Sequence, residues 1–496
     1  MPPVSTTDRW RLRLLAARGN IAVVLLVLVV LSLILMWLGY LGKLDCGGAP
    51  YFADGRSEHW PVGKNELLMP CYSDLQFLWI GRDINNHVFP YIHGGITDDG
   101  VLYGGVVEYP VLSGLLMYFG AIGAHTDTQF FQHSALILLP FGILITVLLG
   151  LMTRWRALLW AGTPPLILYS FHNWETPVVA TVVGAVAVMY FGAQESPRTG
   201  RRRIPFLTAA IIAAVLLSIG FSLKLYPGLF VVPLVAYVLT RGQGARSAGD
   251  WSIEEPADAE RSGALRGRML SVRRAGLDWV GAAWVTGAAI VTVLAAQLPF
   301  MILGFEGWKA ALSFQGKRRS DVDTNSIWYW GVRHLTDAAG ISYNSVVGVA
   351  SPLLILASFV LVVYLGVRVW RTGEPYPWIG VSAAMLAGFM LFHKVHSPQY
   401  TLWILPFFVL LRVAWPIIVL YLLADLSLDL TIFRLFGIYT SGSPMKWWVM
   451  GGVQFGVWTH ALLLAILIFA FVRAPVRMYA RKTVGPPDKV PDTVSV

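Results

Sequence analysis

Residues 21–40 read IAVVLLVLVVLSLILMWLGY, an unbroken apolar run without a charged side chain. It matches the roughly 20 residues an α-helix needs to cross the hydrocarbon core of a bilayer. Residues 135–152 and 453–472 are runs of the same kind. None alternates apolar and polar positions as a β-barrel strand would. The chain therefore reads as an all-α polytopic membrane protein. Composition agrees: 56% of the 496 residues are hydrophobic and 13% charged, about half the charged fraction of a soluble domain.

The net charge is +10. The basic residues flank the hydrophobic runs instead of lining one soluble face, which argues against a nucleic-acid partner and for contact with membrane lipid headgroups. Basic clusters stand at 9–18, 154–156, 198–203, 241–274, 368–371, 412 and 473–482. The positive-inside rule places all of them in the cytoplasm. Spans then follow near 20–42, 133–152, 157–171, 176–193, 204–222, 226–240, 278–303, 346–367, 376–392, 399–412, 415–433 and 448–472. That makes twelve crossings with both termini inside. The apolar stretch 106–123 does not fit the charge pattern as a further span and reads as a re-entrant or surface-lying helix. The first run lacks a small-residue cleavage site and reads as a retained helix.

Domain organisation follows. A basic N-terminus, 1–19, precedes an N-terminal transmembrane module, 20–240, with an outer loop at 43–132. A charged, Gly- and Ser-containing linker, 241–277, leads to a second module, 278–472, with an outer loop at 304–345. The polar tail, 473–496, is cytoplasmic. Both cysteines, Cys46 and Cys71, fall in the first outer loop. Oxidising conditions there favour a disulfide closing about 25 residues, worth roughly 3 kcal/mol in a chain-entropy model. No Cys/His spacing resembles a zinc site.

With this topology the outer helix ends collect polar groups that do not belong in lipid. They include Cys71-Tyr72-Ser73-Asp74 with Arg82-Asp83, Glu108-Tyr109-Pro110, and His172-Asn173-Trp174-Glu175. Lys224-Leu225-Tyr226-Pro227, Lys317-Arg318-Arg319 with Asn325-Ser326, and His393-Lys394-Val395-His396-Ser397-Pro398-Gln399-Tyr400 complete the set. Singly, each has a plain reading. Lys224 alone is a lysine snorkelling from a helix end, the tyrosines and tryptophans form an interfacial belt, and His393 and His396 are core histidines. Their convergence on one membrane face is what points to chemistry. A sugar linked to a lipid phosphate leaves behind an anionic phosphate, which Lys, Arg and His stabilise as the glycosidic bond breaks. A carboxylate across the sugar takes the proton of the acceptor hydroxyl. One base and a cationic phosphate pocket suffice for inversion, unlike the two-carboxylate design of glycosidases.

These residues carry a resemblance. Ser73-Asp74, Glu108-Tyr109-Pro110, Lys224-Leu225-Tyr226-Pro227 and Lys394-Val395-His396-Ser397-Pro398-Gln399-Tyr400, in that order over about residues 70–410, resemble the polyprenyl-phosphate-sugar-dependent membrane glycosyltransferases of the GT-C fold. The likeness is greatest to glycosyltransferase family 87 of actinobacteria. The resemblance implies a GT-C-like bundle of about twelve transmembrane helices and a long first outer loop. It also implies a decaprenyl-phosphate mannose or arabinofuranose donor, a glycolipid or polysaccharide acceptor, and a site on the outer face of the plasma membrane. It maps the catalytic acid onto Asp74, with Glu108 as the second candidate. Donor phosphate and lipid fall to Lys224, Tyr226, Arg82, Lys317, Arg318, Arg319, His393, Lys394, His396, Gln399 and Tyr400. Asn173, Glu175, Asn325 and Tyr109 are candidates for the sugar or acceptor. The family's Tyr-Pro-Pro is Tyr109-Pro110-Val111 here, and the preceding loop carries the insertion 94–105, which leaves the roles of Asp98, Asp99 and Glu108 open. Asp83 follows Arg82 and reads as its salt-bridge partner.

No cofactor is expected beyond the polyprenyl-phosphate sugar as co-substrate. Asp98-Asp99 reads as a solvated turn around Gly100 and also offers a place for a divalent cation. Two other classes remain open on the sequence: a transporter or flippase for a lipid-linked or small anionic substrate, which would need polar groups near the bilayer midplane, and a non-catalytic scaffold.

Overall fold

The computed structural model describes residues 20–60, 71–196, 199–245 and 276–478. The basic N-terminus, most of the linker and most of the tail lie outside the described residues.

The first apolar run forms the helix Ile21–Leu44, opened by Asn20, whose side-chain oxygen accepts the Ala22 N–H at 2.9 Å. Among the described residues, eight helices are long and apolar enough to cross a membrane. They pack into one bundle in which helices from both halves of the chain meet: Phe206–Leu223 lies against Glu175–Ala193 and against Trp279–Leu303. The outermost helices keep apolar faces uncovered, with Val280 70%, Ile302 71% and Val349 63% exposed. An apolar exterior of that extent suits hydrocarbon, not water.

Four expected spans do not form long helices. Three fall on the shorter apolar helices 226–239, Trp378–Phe392 and 398–410. The fourth, 157–171, breaks into Leu158–Ala161 and Pro164–Tyr169, interrupted by Gly162 and the Pro164-Pro165 pair. The break falls at Gly162 and Thr163, and the two prolines open the second piece, where a missing N–H costs no helical bond. The chain nonetheless travels the depth of the bundle. Arg156 hydrogen-bonds the Phe408, Val409 and Leu411 carbonyls at one end, and the His172 carbonyl accepts the Asp74 N–H at the other. Irregular backbone is tolerated because it is enclosed by protein: Trp160, Leu166 and Tyr169 are fully buried. A Cβ on Gly39 of the first helix would overlap the Ile167 carbonyl, so only glycine permits this approach.

The first polar loop folds against the bundle. Cys46 and Cys71 are disulfide-bonded, with Cα atoms 5.5 Å apart. Arg56 ties the loop together, donating to the Gln76 and Phe77 carbonyls and pairing with Asp127 at 3.3 Å. Ser73 caps the helix Asp74–Gly81 by accepting the Gln76 N–H. Asp98 and Asp99 are exposed in the turn of a small hairpin, Gly95–Ile96 with Leu102–Tyr103. The apolar stretch 106–123 yields only the helix Val111–Ala121. At about 1.5 Å per residue it extends roughly 16 Å, half of what a crossing needs.

Candidate active site

Asp74 opens its helix at the floor of a cavity of about 430 Å³. Its Oδ1 accepts the Tyr72 hydroxyl at 2.9 Å and its Oδ2 accepts the Asn173 side-chain nitrogen at 2.6 Å. The same nitrogen reaches the Tyr109 hydroxyl at 2.7 Å. Burial pushes the Tyr72 and Tyr109 hydroxyls well above the usual tyrosine range, with the nearby carboxylates adding to it. Both phenols therefore stay protonated, and Tyr72 keeps its proton to donate.

Three cations, Arg82, Lys224 and Arg318, and three carboxylates, Asp74, Glu108 and Asp323, line the cavity. It is therefore not uniformly positive, and the pairing decides which charges are available. Arg82 is bound to Glu108 at 2.8 Å. Lys224 is ion-paired with fully buried Glu175, which also accepts the Trp403 indole N–H at 2.5 Å. Arg318 is only 3.6 Å from a half-exposed Asp323, the loosest of the three. Lys224 has three N–H donors and lies over the Tyr109 ring at 4.8 Å, so it can still address the cavity.

A second, apolar cavity of about 380 Å³ abuts the first. Glu108, Tyr109, Lys224, Gln315, His393 and Tyr400 line both. Beyond that shared wall the groove continues along Phe221, Leu294, Met301 and Leu312. The rings of Tyr400, Trp403 and Tyr226 stack in series, at 3.8 and 4.3 Å between centroids, and form one side of it.

The structure brings most of the sequence candidates together. Asp74, Arg82, Glu108, Tyr109, Lys224, Arg318, Asn325, His393, Gln399 and Tyr400 line the polar cavity, and Tyr226 the apolar one. Several take other places. Lys317, the last residue of the helix Phe305–Lys317, and Arg319 are exposed, while Arg318 between them is partly buried. Lys394 donates to the Gly316 carbonyl at 3.1 Å and ties its loop to the helix Phe305–Lys317. His396 turns into the bundle, 3.3 Å from His460. Asn173 and Glu175 are fully buried behind the wall, holding Asp74 and Lys224. Arg82 pairs with Glu108 rather than Asp83, which instead accepts the Gly104 N–H at 2.7 Å. The histidines supply no charge: burial pushes His393 and His396 each down to about 4, and His172 well below its usual range.

Three features escaped the sequence reading. Lys43, 3% exposed, donates to the Tyr72 carbonyl at 2.7 Å and lies 3.5 Å from His172 Nδ1. Phe433 and Phe436 line the cavity from the helix Trp415–Ser441. On the same helix, Asp425 and Asp429 are fully buried beside it, with Asp425 accepting the Thr401 hydroxyl at 2.5 Å. A lysine and two aspartates within apolar runs were the available signal, because ionisable groups in a span are rarely idle. No protein-family model matches the chain, and no curated protein matches it.

Proposed function

We propose that the protein is an inverting glycosyltransferase that moves a mannosyl or arabinofuranosyl residue from a polyprenyl phosphate to a cell-envelope glycolipid or polysaccharide. The observation that carries this reading is the junction of the two cavities. A carboxylate held by neutral donors faces a polar chamber, and the chamber's far wall, with Lys224, opens onto an apolar groove. A polyprenyl chain suits the groove, its phosphate the Lys224–Arg318 corner, and its sugar the chamber. Asp74 takes the proton of the acceptor hydroxyl as that oxygen bonds to the anomeric carbon. The bond from that carbon to the phosphate oxygen breaks, its electron pair leaves with the phosphate, and the two cations stabilise the charge. A single displacement inverts the anomeric centre.

Twelve traverses with both termini in the cytoplasm belong to this reading. Arg156, Arg202, Arg412 and Arg473 gather at the end of the bundle remote from Asp74. The positive-inside rule then puts Asp74 on the extracytoplasmic face of the plasma membrane.

A second reading, a transporter for a lipid-linked or small anionic substrate, draws on Asp425 and Asp429. They lie midway along their helix, where transport pathways carry polar groups. Purified protein in vesicles, given radiolabelled decaprenyl-phosphate mannose or arabinofuranose and envelope lipid acceptors, separates the two. Transfer by the wild type, lost in Asp74→Asn, supports the transferase. Movement across the membrane without transfer supports the transporter, and no transfer from either donor ends the first reading.

A further inference from the structure

We propose that the cavity face formed by Tyr72, Phe433 and Phe436 is a platform on which a sugar ring of the acceptor stacks, with Asn325 accepting one of its hydroxyls. The inference rests on the transferase reading and names the acceptor's chemistry: a carbohydrate terminus, not a bare polyol or lipid headgroup.

The two oxygens of Asp74 mark two sides of the chamber. Oδ2 faces Asn173 and, through it, Tyr109, which belongs to the wall shared with the apolar groove. Oδ1 faces Tyr72, which lines the polar chamber but not the groove. Behind Tyr72 the aromatic surface continues: its ring stacks on Phe433 at 5.3 Å and 29°, and Phe433 meets Phe436 edge-on at 6.1 Å and 86°. The acceptor hydroxyl must lie between Asp74 and the anomeric carbon, so with the donor entering from the groove, the lining that only the polar chamber has, with Tyr72, Phe433 and Phe436, is left for the rest of the acceptor. Aromatic faces carry partial negative charge and apolar area together, which matches the slightly positive C–H face of a furanose or pyranose.

Asn325 makes an independent case. It is 2% exposed, it lines the same chamber, and its Oδ1 has no hydrogen-bond partner. A buried acceptor without a donor carries a desolvation cost that a ligand can remove. A hydroxyl can serve both halves of the amide, donating to Oδ1 and accepting from Nδ2, whereas an ionised phosphate oxygen can serve only Nδ2. The backbone at Asn325, φ +48°, holds the side chain at this turn in the left-handed region that asparagine tolerates best outside glycine. Both observations thus favour a polyhydroxylated ring on this side of Asp74.

The test uses the full-length protein in lipid nanodiscs and soluble methyl glycosides of an arabinofuranose disaccharide and a mannopyranose disaccharide. Saturation-transfer NMR reads binding without chemistry. The wild type should transfer saturation to the C–H protons of one ring face of at least one disaccharide. Phe436→Leu, which keeps an apolar group of similar bulk, should weaken that binding roughly five- to tenfold, and Phe436→Tyr should retain it. In the vesicle assay Phe436→Leu should raise the acceptor KM by the same factor and leave the donor KM unchanged. Binding of neither disaccharide to the wild type, or unchanged binding and acceptor KM in Phe436→Leu, overturns the platform. Sugar binding intact but no transfer would instead count against the transferase reading alone.

Discussion

The Asn173 side chain donates to Asp74 Oδ2 at 2.6 Å, joining residues 99 positions apart in the chain. Asn173 follows the broken return segment and Asp74 opens the first helix of the outer loop, so this bond fixes one element against the other. Because Asn173 Nδ2 also reaches Tyr109, the carboxylate, the amide and the phenol form one positioned unit.

Loss of the base and loss of its support should differ in degree. Asp74→Asn should abolish transfer, whereas Asn173→Ala should lower kcat by about 10²-fold through misplacement of the carboxylate. Glu108→Gln should cost less than Asp74→Asn, because Glu108 Oε2 is already committed to Arg82. Initial rates in vesicles decide the order. A reversed order would move the base to Glu108.

The Lys224–Glu175 pair sets a stability test. Lys224→Met leaves a fully buried carboxylate without its cation, and such a loss costs about 3–5 kcal/mol. Adding Glu175→Gln should recover much of the stability but none of the activity, since the corner proposed for the donor phosphate still lacks its charge. Thermal unfolding in detergent measures the first effect and the vesicle assay the second.

The Cys46–Cys71 bond closes a separation of 25 residues in the loop that carries Asp74. Cys46→Ser with Cys71→Ser should destabilise that loop by roughly 3 kcal/mol. Limited proteolysis should then cut between residues 46 and 71 faster than in the wild type. Equal cleavage rates would show that Arg56 and its partners hold the loop unaided.

A pH profile of stability should report His396. Burial holds its imidazole down at about 4, against roughly 6.5 when unfolded. Below pH 6.5 the unfolded chain takes up a proton that the folded chain refuses until pH 4. Stability is therefore full above about 6.5 and falls as pH drops toward 4, by at most about 3 kcal/mol from this group. His396→Gln should make the Tm profile shallower over that window by this group's share, with His393 and His172 keeping theirs, and an unchanged slope would assign the loss to those groups.

Much of the bundle was legible because spanning lipid imposes a length and an absence of charge that any reader of the chain can see, as in residues 21–40. The site was legible in parts. Asp74, Lys224 and Arg318 stood out as polar groups at helix ends, and the cavity does assemble them. Their partners did not stand out. Nothing in the order of residues says that Arg82 chooses Glu108 over its neighbour Asp83, or that Glu175 serves Lys224 instead of a sugar. Such choices depend on which side chains meet after packing. The short traverse 157–171 was misread as a helix because its apolar length outweighed Gly162 and Pro164-Pro165 in the reading.

The sequence by itself determined that this is an all-α membrane protein, because uncharged apolar runs of spanning length have no better environment than lipid. It also determined that the basic residues flank the apolar runs, since charge position along the chain is local information. Only the tertiary structure decided that Asp74 is held by Tyr72 and Asn173, that burial disfavours a charge on His393 and His396, and that a polar chamber adjoins an apolar groove. Those outcomes arise from burial and from contacts between distant parts of the chain, as across the 99 positions from Asp74 to Asn173. Neither is a property of any segment on its own.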